Sequence, residues 1–105
     1  MSDKYYIVGV TPKEYKLLKM FIYRIGNKIH RKLTLNRVEK LYLTKDDSFI
    51  DYKVFYSYHH PTYGEAVGNF SIDLLDDLNT QPMKEFFARE IRKGIEHLIK
   101  QKKNV

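Results

Sequence analysis

Apolar and polar positions change period several times along the chain, and each change marks an element. Tyr5-Tyr6-Ile7-Val8-Gly9-Val10 is rich in aromatic and β-branched residues and reads as a short buried strand. A helix start follows. Thr11 suits the N-cap, Pro12 the first helical position, and Glu14 the place where a capping box needs its carboxylate. Leu18, Ile22, Ile25, Ile29 and Leu33 then recur at steps of four and three, with Leu17 and Phe21 alongside. Gly26-Asn27 offers an earlier stop, but the stripe runs past it and predicts one helix to about Lys32.

Residues 37–74 read as an antiparallel meander. Arg37 to Thr44 alternates, Leu41 and Leu43 on one face and Val38, Lys40 and Tyr42 on the other. After the turn Lys45-Asp46-Asp47-Ser48, the second strand puts Ile50, Tyr52, Val54, Tyr56 and Tyr58 on a core face. Phe49, Asp51, Lys53, Phe55 and Ser57 take the opposite face. The turn at His59-His60-Pro61-Thr62-Tyr63-Gly64 leads to a third strand, Glu65 to Leu74, alternating Ala66, Gly68, Phe70, Ile72 and Leu74 with polar positions. Pairing Tyr58 with Ala66 sets Tyr56 opposite Gly68, where an aromatic ring covers the missing side chain. Asp76 to Thr80 is a polar connection, and Pro82 opens a second helix. Met83, Phe87, Ile91, Gly94 and Leu98 face inward there, flanked by Phe86 and Ile95. Glu85 with Arg89 and Glu96 with Lys100 are spaced for ion pairs on its outer face, and residues 101–105 are expected to fray. The expected fold class is α+β, a two-layer β-α-β-β-β-α domain with a mostly antiparallel sheet and both helices on one face.

Length adds that residues 1–105 form a single domain. Cysteine is absent, which excludes disulfide scaffolds and thiolate chemistry. No apolar run reaches the roughly 20 residues of a bilayer span, so no membrane association is expected and the simplest location is cytoplasmic. The formal net charge of +6 favours anionic partners.

Charge placement says more than its total. Residues 1–38 hold nine Lys or Arg against Asp3 and Glu14, residues 39–90 five against ten acids, and residues 91–105 five against Glu96. Between Glu14 and Glu39 there is no acid, but there are Lys16, Lys19, Arg24, Lys28, Arg31, Lys32 and Arg37. On a helical wheel Lys13, Lys16, Arg24 and Arg31 gather opposite the apolar stripe, with Lys19, Tyr23, Asn27 and His30 beside them. A helix face of bases with a Tyr and an Asn and no acid suits a phosphate backbone, DNA or RNA. A solvated face normally mixes signs, as the second helix does.

On the sheet, Val38, Tyr42, Phe55 and Val67 are expected on the face without helices, with Lys40, Asp51 and Lys53. That is an interface composition, for a homodimer or another protein. Stacking of single-stranded bases there is disfavoured by Asp51, Glu65 and Asp73. His59-His60 lacks the ligand spacing of a metal site and Gly9 stands outside any phosphate-binding loop. Asp51 and Asp73, if opposed across two strands, lack the third carboxylate and base of a nuclease. No nucleophile–base motif appears, so no catalytic residue, metal or cofactor is expected.

The helix–three-strand–helix order from Pro12 to Lys100 resembles the topology of double-stranded RNA-binding domains. The lysine-rich motif those carry at the start of their second helix is absent, since the chain reads Pro82-Met83-Lys84-Glu85-Phe86-Phe87 there. The expectation is therefore a small basic regulatory or accessory binding module, not an enzyme, engaging nucleic acid through the first helix. The alternative is a module that binds and modulates a partner protein through the open sheet face or the basic helix. Fourteen Lys to five Arg, with many Ile, Tyr and Asn, suits an AT-rich coding source and is compatible with a phage or mobile element.

Overall fold

A computed structural model describes residues 4–28 and 32–103. The elements are β1 (Tyr5–Val8), α1 (Pro12–Lys28), β2 (Lys32–Leu43), β3 (Phe49–His60), β4 (Gly64–Ile72), a 3₁₀ turn (Leu75–Asn79) and α2 (Gln81–Lys103). The four strands form one antiparallel sheet in the order β1-β2-β3-β4. Both helices pack on one face of it. Leu18, Phe21, Ile22 and Ile25 of α1 and Phe87, Ile91, Ile95 and Leu98 of α2 are buried with Tyr52, Val54, Tyr56, Tyr58, Phe70 and Ile72 of the sheet. Phe87 is at the centre, its ring 5.2 Å from Phe21, 5.0 Å from Tyr56 and 4.7 Å from Phe70. This is the α+β architecture that the periodicities predict.

The capping box closes as expected. The Thr11 amide donates to Glu14 Oε1 at 2.8 Å, and the Glu14 amide donates to Thr11 Oγ1 at 3.2 Å. The predicted β3–β4 register also holds: Tyr58 pairs with Ala66 and Tyr56 with Gly68. A Cβ at Gly68 would lie 2.7 Å from the Tyr56 hydroxyl, so the ring occupies the space the glycine leaves.

Several expectations need correction. First, α1 is described to Lys28 and Lys32 already belongs to β2, so the helix does not reach Lys32; Gly26 lies inside it and is buried, without the positive φ of a helix-stopping glycine. Leu33 is buried, but it faces the core from β2, opposite Tyr58. Ile29, His30 and Arg31 lie outside the described residues. Second, β1 is an exposed edge strand, because it pairs only with the far half of β2, beyond the reach of the central core.

Third, β2 starts at Lys32, and one bulge in β2 and one in β3 reset the faces of the pair. Leu35 opposes Tyr56 and Arg37 opposes Phe55, so Asn36 is an extra residue, its Oδ1 accepting from the Ser57 hydroxyl at 3.4 Å. Past this bulge Val38 opposes the fully buried Val54 and Lys40 opposes Tyr52, which turns Val38, Lys40 and Tyr42 to the helix side. Leu41 opposes Asp51 and Tyr42 opposes Phe49, leaving Ile50 as the second extra residue and turning Phe49 to the helix side too. Fourth, α2 continues to Lys103, past the start of the expected frayed tail; residues 104–105 lie outside the described ones. Phe86, at 41% exposed, is a surface residue rather than a flank of the core.

Candidate nucleic-acid interface

The buried stripe of α1 leaves an outer arc that contains Lys19, Tyr23, Lys16, Asn27, Lys13 and Arg24. All six are exposed, Tyr23 at 60%. Helical periodicity accounts for the arrangement: the apolar residues at steps of three and four are drawn to the sheet, and the remaining positions are left to water. Among the described residues, no carboxylate lies within 4 Å of any of these four lysine or arginine charges. Glu14, the one acid of α1, is on the opposite flank and is tied inward. It accepts from Lys40 Nζ at 3.1 Å and from the Tyr52 hydroxyl. Arg31 lies outside the described residues. Lys28 extends the basic surface at the last turn, whereas Lys32 and Arg37 move to β2 and leave the helix face.

Two apolar side chains in this arc were not singled out as part of a site. Leu17 and Met20, 44% and 40% exposed, border a groove between α1, the 3₁₀ turn and the start of α2. Their signal in the sequence is that they sit outside the 18/22/25 stripe, among the lysines.

The glutamate anchor has a definite electrostatic character. Burial pushes the Glu14 carboxyl pKa up, but hydrogen bonds from Tyr52, from the Thr11 amide and hydroxyl and from Lys40 outweigh it and hold the group at about 2. Tyr52 is pushed up to about 12, by burial first and then by its bond to the Glu14 carboxylate. Lys40 is raised, chiefly by Glu14. Its ammonium also lies over three rings, 5.7 Å from Tyr42, 5.9 Å from Phe49 and 5.6 Å from Tyr52. Tyr6 stacks on Tyr42 at 5.6 Å and completes an aromatic ladder over the open end of the helix layer.

The four residues expected on the open sheet face divide. Phe55 and Val67 are there, Phe55 with the Arg37 guanidinium 4.1 Å from its ring and Lys53 at 5.5 Å. Val38 and Tyr42 are not, for the Asn36 bulge turns them to the helix side, where Val38 packs against the core. The same bulge puts Leu41 and Leu43 on the open face, beside Tyr5 and Ile7 of β1. No described element covers this face.

The remaining candidates have structural roles or none. His60 Nδ1 accepts from the amides of Thr62 at 3.0 Å and Tyr63 at 3.2 Å, so its imidazole builds the β3–β4 turn. Asp51 and Asp73 border one shallow depression with Ser71 and Asp77. Among the described residues no three His, Cys, Asp or Glu side chains gather as a metal site, and no helix is long and apolar enough to cross a membrane. Comparison of the chain with protein-family models, curated proteins and solved structures gives no match.

Proposed function

We propose that the protein is a cytoplasmic, non-enzymatic accessory module that binds nucleic acid through the outer arc of α1. The observation that carries this reading is the exposed set Lys13, Lys16, Lys19 and Arg24, with Tyr23 and Asn27 among them and no described carboxylate in ion-pair range. From Lys13 to Asn27 the helix rises about 21 Å, so the arc is long enough to meet several phosphates of one strand. The cations position the backbone, and Tyr23 offers a ring to an unpaired base. The test is binding of labelled single- and double-stranded DNA and RNA across a salt series. Changing Lys16, Lys19 and Arg24 to Glu abolishes binding with circular dichroism unchanged. Single substitutions flatten log affinity against log salt by about 0.7–0.9 per contact. An unaltered affinity in the folded triple variant refutes the reading.

A second reading rests on the uncovered sheet face. Ile7 and Val67 are 54% and 78% exposed there, and Phe55 lies between them in the sheet order. This composition supports a homodimer with the basic helices on opposite outer sides, or a protein partner in place of the second copy. Sedimentation equilibrium of wild type and Val67→Glu decides it: a wild-type dimer that the substitution dissociates supports self-association. A monomeric wild type at about 50 µM, or a dimer indifferent to the charge, rejects it.

A further inference from the structure

We propose that the groove between α1, the 3₁₀ turn and the first turns of α2 is a binding site for a small amphiphilic carboxylate free in solution, with one acidic head and an apolar body. Its volume is about 390 Å³, within the size range of small-molecule pockets. The floor is apolar and comes from two elements: Leu17, Met20, Phe21 and Ile25 of α1, with Leu75 and Leu78 of the 3₁₀ turn. The rim is cationic, with Arg24 and Lys28 from α1 and Lys84 from α2, against the single carboxylate of Asp76.

Each half of the ligand answers to one of these features. A purely electrostatic phosphate surface has no use for Leu17 and Met20, which remain 44% and 40% exposed among lysines. An apolar body laid along the groove covers both and removes that surface from water. Three cations converging from two helices call for an anion at the mouth, and the planar Arg24 guanidinium matches a carboxylate with two parallel hydrogen bonds. Lys84 is half-buried and lines the groove from α2. A smaller neighbouring depression of about 200 Å³ shares Ile25, Lys28 and Lys84 and is also bordered by Glu85 and Arg92. Arg24 and Asn27 belong both to this groove and to the outer arc, but Lys84 and Leu75 belong to the groove alone.

The test is isothermal titration with octanoate, without nucleic acid, so that loss of either proposal leaves the other standing. Wild type binds octanoate at one site with Kd at or below about 1 mM. Acetate, which keeps the charge and lacks the body, and octanol, which keeps the body and lacks the charge, bind at least about tenfold more weakly. Lys84→Glu and Met20→Glu, both at accessible positions, each weaken octanoate at least about tenfold with unchanged circular dichroism. Lys93→Glu, which removes a cation remote from the groove, leaves it unaltered. The proposal is overturned by no saturable binding at millimolar octanoate, by octanol binding as tightly as octanoate, or by folded Lys84→Glu and Met20→Glu behaving as wild type. It is likewise overturned if Lys93→Glu weakens octanoate as much as Lys84→Glu, because diffuse positive charge would then explain the binding.

Discussion

Replacing Glu14 by Gln keeps the shape of the side chain and removes its charge together with one acceptor oxygen, which probes the anchor that joins α1 to the sheet. Glutamine keeps the capping box with its one amide oxygen, while its NH2 replaces the oxygen that accepts from Tyr52 and Lys40, so it can donate to the Tyr52 hydroxyl oxygen but no longer accepts from Lys40. The loss falls on the ionised form, which is favoured in the folded protein, its pKa held at about 2 against the ordinary 4.5. That difference corresponds to about 3 kcal/mol at neutral pH. The Glu14 and Lys40 side chains retain 15% and 20% of their exposure, and solvent screening reduces the expected effect to about 2 kcal/mol.

The pH dependence separates charge from packing. A carboxyl whose pKa is lowered by folding contributes stability that is fully present above its unfolded value of 4.5 and is lost as pH falls through the folded value of about 2. Urea unfolding followed by circular dichroism therefore shows wild type more stable than Glu14→Gln by about 2 kcal/mol at pH 7, with the gap less than half as large at pH 3. A gap of the same size at both values assigns the effect to shape. Equal stabilities at pH 7 refute the ionic anchor altogether.

Three further outcomes follow from the packing. Tyr52 and Tyr56 are both pushed up to about 12, burial being the main cause in each, so folding favours their neutral forms. Stability falls as pH rises between about 10 and 12, and Tyr52→Phe, titrated by ultraviolet absorbance and urea unfolding, flattens that fall. A Cβ at Gly94 would stand 2.5 Å from the Tyr58 hydroxyl oxygen and 3.3 Å from the ring carbon that carries it. Gly94→Ala thus destabilises wild type by about 1–3 kcal/mol and is neutral or stabilising in Tyr58→Phe, whereas strict additivity in the cycle refutes the contact. Deleting Asn36 restores unbroken alternation to β2 and leaves Leu33, Leu35, Val38 and Lys40 all on the helix-side face, each with its observed partner on β3. The expected loss by thermal unfolding is therefore only about 1 kcal/mol, for the Asn36–Ser57 hydrogen bond, and a loss above about 3 kcal/mol would refute the reading of Asn36 as the extra residue.

The fold was legible where one local signal acted alone. Thr11, Pro12 and Glu14 mark a helix start whose hydrogen bonds all form. The alternation of β3 around Val54, Tyr56 and Tyr58, with Gly68 waiting opposite Tyr56, determines its register against β4. It was illegible where two patterns overlapped. Ile25, Ile29 and Leu33 continue a helical step, yet Leu33 and Leu35 also begin a strand alternation. In the folded chain the second prevails, because Leu33 and Leu35 then reach the core opposite Tyr58 and Tyr56. A period of four and two periods of two look alike over so short a stretch.

The bulges explain why half of the expected sheet interface was misplaced while the helix arc was not. A strand's faces follow from parity, so one unpaired residue exchanges them for everything beyond it. Asn36 does so for Val38, Lys40 and Tyr42, and Ile50 does so for Phe49. Nothing local in the chain announces either residue as extra; the need arises from tertiary demands. Lys40 must face α1 to meet Glu14, and Tyr42 and Phe49 must face the same way to ring its ammonium. A helix has no such parity to lose. Each position of α1 is set by rotation about one axis, and Lys16, Tyr23 and Arg24 face outward as that rotation requires. The same contrast ranks the two surfaces as experimental targets. The described members of the basic arc, Lys13, Lys16, Lys19, Tyr23, Arg24 and Asn27, share one exposed face as the helical period requires, whereas the open sheet face gathers Phe55 and Val67 with Ile7 and Leu41, a set that only the observed register brings into being.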